Sequence, residues 1–153
     1  MRIYTIDFTT PTGASRTLDI EGNYINLDSV SVFSKEPFEY DIDARVVIQT
    51  EHDLDSMENT NRIADIVDTI VRKTFEKYFS DKINIYVFDN RQIVQDELAK
   101  LLQLEFTKYN FKMKMFIIVY IQRAMKNRKN ADDKKFSVDH RREIPEAEIR
   151  TGI

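Results

Sequence analysis

The sequence predicts an α+β domain: an antiparallel sheet of about five to six strands with two helices packed on one face, in the order β-β-β(-β)-α-β-α-β. Three observations predict it. Between residues 2 and 48, short apolar runs alternate with polar residues at period two. Between residues 61 and 109, apolar residues instead recur every three or four positions, in two separate stretches. Turn-forming residues punctuate these runs, and strands followed by helices favour a sheet covered on one side.

In chain order, Tyr4, Ile6 and Phe8 share one face of a first strand, and Pro11-Thr12-Gly13 supplies turn chemistry. Arg16 to Ile20 returns as a second strand, which predicts a hairpin with the first. Glu21-Gly22-Asn23 turns again, and Val30, Val32 and Phe33 form a short third strand that breaks at Ser34 to Pro37. Phe38, Tyr40 and Ile42 then alternate with Glu39, Asp41 and Asp43, a half-buried strand whose wet face is a row of acids. Arg45 to Ile48 extends it past a bulge near Ala44.

The first helix carries Ile63, Ile66, Val67, Ile70, Val71, Phe75, Tyr78 and Phe79 on one stripe, with Asn59, Thr60 or Asn61 as its cap. Ile83 to Phe88 is β-branched and aromatic and short, and reads as a strand. Asp89-Asn90 opens a second helix with Ile93, Val94, Leu98, Leu101, Leu102, Phe106 and Tyr109 as its apolar set. Asn110 releases the chain, because Asn tolerates the left-handed conformation at helix ends. The final strand alternates from Phe111 to Met115 and is wholly apolar from Phe116 to Ile121, which predicts burial on both faces there.

Residues 1–125 thus form one domain. From Lys126 the chain changes to a charged tail, 126–153, with too little apolar surface to offset its own ordering. Charge is unequally shared: residues 1–100 hold 11 Lys+Arg against 19 Asp+Glu, and residues 101–153 hold 12 against 7. Such a split points to a basic tail that meets an acidic partner or folds back on its own acidic domain. The chain has 0 cysteines, which excludes disulfides, thiolate zinc sites and a cysteine nucleophile. No signal-like segment or apolar run near the roughly 20 residues of a membrane helix is present, so a cytoplasmic protein without a membrane partner is expected.

No pattern calls for a cofactor, and no catalytic signature emerges. Glu51, His52, Asp53 and Asp55 gather carboxylates and an imidazole, as a divalent metal requires, but without a calcium loop's glycine or a second spaced histidine. A solvated acidic loop explains them more simply. Asp89-Asn90-Arg91-Gln92 stands at a helix start where anions bind, yet lacks glycine and reads as a cap. Lys108, Lys112, Lys114, Arg123, Lys126, Arg128, Lys129, Lys134 and Lys135, with Tyr109 and Phe111 interleaved, have the composition of a nucleic-acid groove. Against that, Tyr109 and Phe111 fit the core period and the whole chain is acidic, with a pI of about 5.5.

The segments Asp65-Ile66-Val67-Asp68-Thr69-Ile70-Val71 and Ile85-Tyr86-Val87-Phe88-Asp89-Asn90-Arg91-Gln92 add a comparison. In their order over residues 30–120, the chain resembles small uncharacterised proteins of Bacteroidota, with a strand meander followed by helix, strand, helix and strand. That resemblance implies a fold and no activity.

The functional expectation is a non-catalytic protein-binding module, such as an antitoxin, immunity or anti-defence protein. Its contacts are expected at Glu39, Asp41 and Asp43 and, in the tail, at Lys126, Arg128, Lys129, Phe136 and Val138. The partner is another protein or a second copy, with nucleic acid as a further candidate through the basic C-terminal third. The alternatives are a phage tail or neck component that assembles into a ring, and a metal-dependent nuclease built on Glu51, His52, Asp53 and Asp55.

Overall fold

The computed structural model describes residues 2–10, 16–19, 23–51 and 57–125. Its elements are β1 (Arg2–Thr9), β2 (Arg16–Asp19), β3 (Tyr24–Asp28), β4 (Val30–Phe33), β5 (Phe38–Thr50), α1 (Met57–Phe79), α2 (Asn84–Asp89), α3 (Arg91–Thr107) and β6 (Lys112–Met125). The tail, 126–153, lies outside the described residues.

β5 is the centre of a six-stranded sheet. β6 runs antiparallel along one whole edge of it, from Phe38↔Met125 to Gln49↔Lys112. The other edge is shared in succession, by β4 against Glu39 to Ile42 and by β1 against Ala44 to Thr50. Beyond β1 come β3 and then β2.

The α+β class stands, but the sheet is mixed. β3 runs parallel to β1, with Ile6↔Ile25 and Phe8↔Leu27 in register. β2 pairs antiparallel with β3, so the expected hairpin between the first two strands does not form. β3 carries the period-two signal itself: Ile25 and Leu27 are buried while Tyr24, Asn26 and Asp28 face outward. Placing it beside β1 buries that apolar pair in the main core, which a simple hairpin of β1 and β2 would leave at the margin.

All helices cover one face. Phe75 of α1 meets Phe116 of β6 edge-to-face at 6.0 Å, and Tyr40 of β5 meets Phe79 at 5.6 Å and Phe88 at 5.7 Å. Of the stripe expected in α1, every member is buried except Ile66, which is partly covered. The helix begins at Met57, ahead of the expected caps. Arg72 pins α1 to the β3–β4 turn: it donates to the Asp28 and Ser29 carbonyls at 2.7 and 2.9 Å and to Asp68 at 2.6 Å. Its guanidinium also lies 5.6 Å from the centre of the Phe8 ring.

The expected strand at Ile83 to Phe88 is helix α2. Both edges of β5 are occupied, and α2 is set instead by contacts distant in sequence. The backbone N–H of Asn84 donates to Glu36 Oε1 at 2.7 Å, and Tyr40 Oη donates to Asn84 Oδ1 at 2.8 Å. Tertiary hydrogen bonds thus override a local β preference. Asn110 does leave α3 in the left-handed region, at φ 63°.

In α3 the buried stripe is Val94, Leu98, Leu102 and Phe106. Ile93, Leu101 and Tyr109, expected in the core, are exposed instead. Leu98 is fully buried whereas Leu104 is 65% exposed. Leu98→Ala is therefore expected to lower the unfolding free energy by about 2–5 kcal/mol. Leu104→Ala, on the wet face, is expected to change it by less than about 0.5 kcal/mol. Chemical denaturation of both variants checks the orientation of α3, since equal losses would mean a different packed face.

Candidate protein interface on the outer sheet face

Alternation along β5 sends Tyr40, Ile42, Ala44, Val46 and Ile48 inward and leaves Glu39, Asp41, Asp43 and Arg45 on the outer face. Register then sets their neighbours. Asp41 lies between Ser31 and Gln122, Arg45 between Asp7 and Ile117, and Asp43 faces Tyr120.

One zone of this face is a locked polar network. Arg45 Nε and Nη2 donate to the two oxygens of Asp7 at 2.6 and 2.8 Å, and Tyr24 Oη donates to Asp7 at 2.7 Å. Asn26 links Tyr24 to Thr9 with donor distances of 3.4 and 3.1 Å. The Arg45 hydrogen bonds, against an opposing push from burial, hold the Asp7 carboxyl below its ordinary range. Burial first, and then the Asp7 carboxylate, push the Tyr24 hydroxyl up. These groups tie β3, β1 and β5 together and satisfy one another.

The acids on β5 are different. Asp41 accepts from Ser31 Oγ at 2.6 Å, and Asp43 accepts from Thr10 Oγ1 at 3.3 Å. Hydroxyls satisfy lone pairs and leave the negative charge in place. Burial pushes the Asp43 carboxyl up, with Thr10 opposing and the charge of Asp41 adding to the rise.

Beside the acids runs an apolar stripe. β6 was expected to be covered on both faces from Phe116 to Ile121, yet Ile117 is 39%, Val119 61% and Tyr120 54% exposed. A register shift between Asp43 and Ala44 inserts Val119 as an extra residue, so Val119 and Tyr120 both face out while Ile118 and Ile121 stay buried. A second shift, between Val47 and Ile48, sets off Lys114. Sequence reasoning missed this stripe because a bulge leaves no periodic mark in an unbroken apolar run.

The remaining edge of β6 carries no strand among the described residues. α3 covers part of it. Ile118 N donates to Gln95 Oε1 at 2.8 Å, and Met113 N donates to Gln103 Oε1 at 2.9 Å. The glutamine amides stand where a neighbouring strand's carbonyls would otherwise dock, which blunts the edge over its first half.

The other expected sites fare unevenly. Glu39, Asp41 and Asp43 do share one face. Glu51 is exposed at the end of β5, while His52, Asp53 and Asp55 lie outside the described residues, as do Lys126, Arg128, Lys129, Phe136 and Val138. Among the described residues no three His, Cys, Asp or Glu side chains gather as a metal site would require. Of the basic set, Arg123 points inward over the rings of Phe38 and Phe88, at 5.1 and 5.6 Å, and Lys108 pairs with Glu105 at 3.1 Å, while its members from Lys126 onward lie outside the described residues. Phe111 is buried, whereas Tyr109 is exposed.

Two further features belong to the framework. An open cleft of about 770 Å³ lies between α1 and β4, with Ser31, Ser34, Lys35, Arg72 and Glu76 in its walls. Its Arg72 is already engaged by the carbonyls and carboxylate described above. Tyr78 donates to Glu97 at 2.5 Å and joins α1 to α3, with the Lys82 ammonium 4.5 Å from the Tyr78 ring centre. Burial and the Glu97 carboxylate push that hydroxyl far up.

No helix among the described residues is long and apolar enough to cross a membrane. Compared with models of known protein families and with curated proteins, the chain matches none.

Two measurements check this site. Gln103→Ala is expected to speed hydrogen exchange at the Met113 amide roughly fivefold, the equivalent of about 1 kcal/mol of hydrogen bond, while the amides of β1 keep their protection. Because the Asp7 pKa is lowered on folding, its stabilisation is complete above the ordinary aspartate range and disappears as pH falls through that range and then through the lowered value. Wild type is therefore expected to lose more stability than Asp7→Asn between roughly pH 5 and roughly pH 2. Equal losses would mean that Arg45 does not hold the carboxylate in solution.

Proposed function

We propose that this chain is a non-catalytic protein-binding module, in the class of antitoxin, immunity and anti-defence proteins, and that it binds through the outer face of β5 and β6. The observation that carries this reading is the exposed stripe Ile117, Val119 and Tyr120 on the acidic face: Tyr120 is paired with Asp43, and Asp41 follows two residues along the same face. An apolar centre with a charged border is the usual anatomy of a protein interface. Like-signed carboxylates along that border select a partner with lysines or arginines around its own apolar contact, and they speed its approach.

Its second reading is an assembly component such as a phage tail or neck ring, favoured by the second half of the β6 edge, which no strand among the described residues pairs and where a strand from a neighbour would add. Such a component forms a defined oligomer by itself, which light scattering on a sizing column detects.

Tests of the interface need a variant that keeps the fold. Val119 and Tyr120 face solvent, so Val119→Lys with Tyr120→Lys is expected to shift unfolding free energy by about 1 kcal/mol at most. The expected result, in capture from the native host, is a partner retained by wild type, weakened by salt, and lost by the double variant. A partner held equally by both would move the interface elsewhere.

A further inference from the structure

The chain leaves β6 beside the acids of this face. Ala124 is paired with Glu39 and Met125 with Phe38, so β6 ends three residues beyond Gln122, the partner of Asp41. The next ten residues, Lys-Asn-Arg-Lys-Asn-Ala-Asp-Asp-Lys-Lys, carry five cations and two acids. Phe136-Ser137-Val138-Asp139 then alternates apolar with polar. Read backwards along β6 from that exit, the outer face runs from acid to apolar in the same sense: first Asp41 beside Gln122, then Asp43 beside Tyr120, then Val119 and Ile117.

Reach agrees with this order. Val119 is six residues back along β6 from Met125, about 20 Å at strand rise. Residues 126–135 can span roughly 33 Å when extended, which leaves length for a reversal. Asn127, Asn130, Asp132 and Asp133 supply residues suited to a turn. A tether this short holds its far end near the face at an effective concentration on the order of millimolar, well above what a second copy reaches in dilute solution.

We propose that the segment 126–139 of the same chain folds back antiparallel to β6 and covers the outer face. Its leading cations lie over Asp41 and Asp43, and Phe136 and Val138 lie on Ile117, Val119 and Tyr120. This deepens the reading of that face as a protein interface and rests on it: a partner must then displace the chain's own segment, which acts as a built-in competitor.

The absence of cysteine allows a direct test in the full chain. Gln122→Cys with Ser137→Cys places a unique thiol pair on the outer face and in the segment. Lys73→Cys with Ser137→Cys serves as the control, because Lys73 is exposed on α1, across the sheet. With a short bismaleimide at micromolar protein, the outer-face pair is expected to cross-link within one chain at least about tenfold faster than the control. Adding Phe136→Asp and Val138→Asp to the outer-face pair is expected to bring its rate down to the control's.

Equal rates for the two pairs would overturn the proposal, and so would a product that is mainly a cross-linked dimer, which would place a second copy's segment on this face. Neither result bears on the partner captured by wild type and lost with Val119→Lys and Tyr120→Lys, so failure of the self-cover and failure of the interface are told apart.

Discussion

The structure depends on β5 being hydrogen-bonded along both of its edges. Its residues from Glu39 to Ile42 are held between β4 and β6, and those from Ala44 to Gln49 between β1 and β6. A strand fixed on both sides cannot slip by one residue without sending Tyr40, Ile42, Val46 and Ile48 into water. The same constraint holds Asp41, Asp43 and Arg45 on the opposite face, so the burial of one set and the display of the other are a single event. The helices then close on the inner side, and Arg72 ties α1 back to the turn between β3 and β4.

What distinguishes the outer face is how differently its charges are used. Arg45 and Asp7 neutralise each other and, with Tyr24, bind three strands together. Asp41 accepts from the Ser31 hydroxyl and Asp43 from the hydroxyl and backbone of Thr10, uncharged donors that do not cancel a carboxylate's charge. The bulge at Val119 places an apolar patch beside that charge. The face thus combines negative charge with an apolar centre.

The edge of β6 shows a related balance. An open, apolar edge strand invites pairing with any extended chain. Gln95 and Gln103, two turns apart on α3, satisfy two of its amides and restrict that invitation to the part nearest the C-terminal exit.

Much of this was legible in the residues. The period of α1 foretold its buried stripe, Asn110 its left-handed exit, and the alternation from Phe38 to Asp43 the acidic row, because each depends on near neighbours along the chain. The acids of the candidate interface were therefore visible from sequence and its apolar half was not, since an unbroken apolar run hides a bulge. Tertiary structure alone decided that β3 lies parallel to β1, that Ile83 to Phe88 coils into α2, and that Ile117, Val119 and Tyr120 face outward. In each case the deciding contacts join residues far apart in sequence: Ile6 with Ile25, Glu36 with Asn84, and Asp43 with Tyr120. Local preference ranks the conformations open to a segment, and the hydrogen bonds and burial supplied by distant partners choose among them.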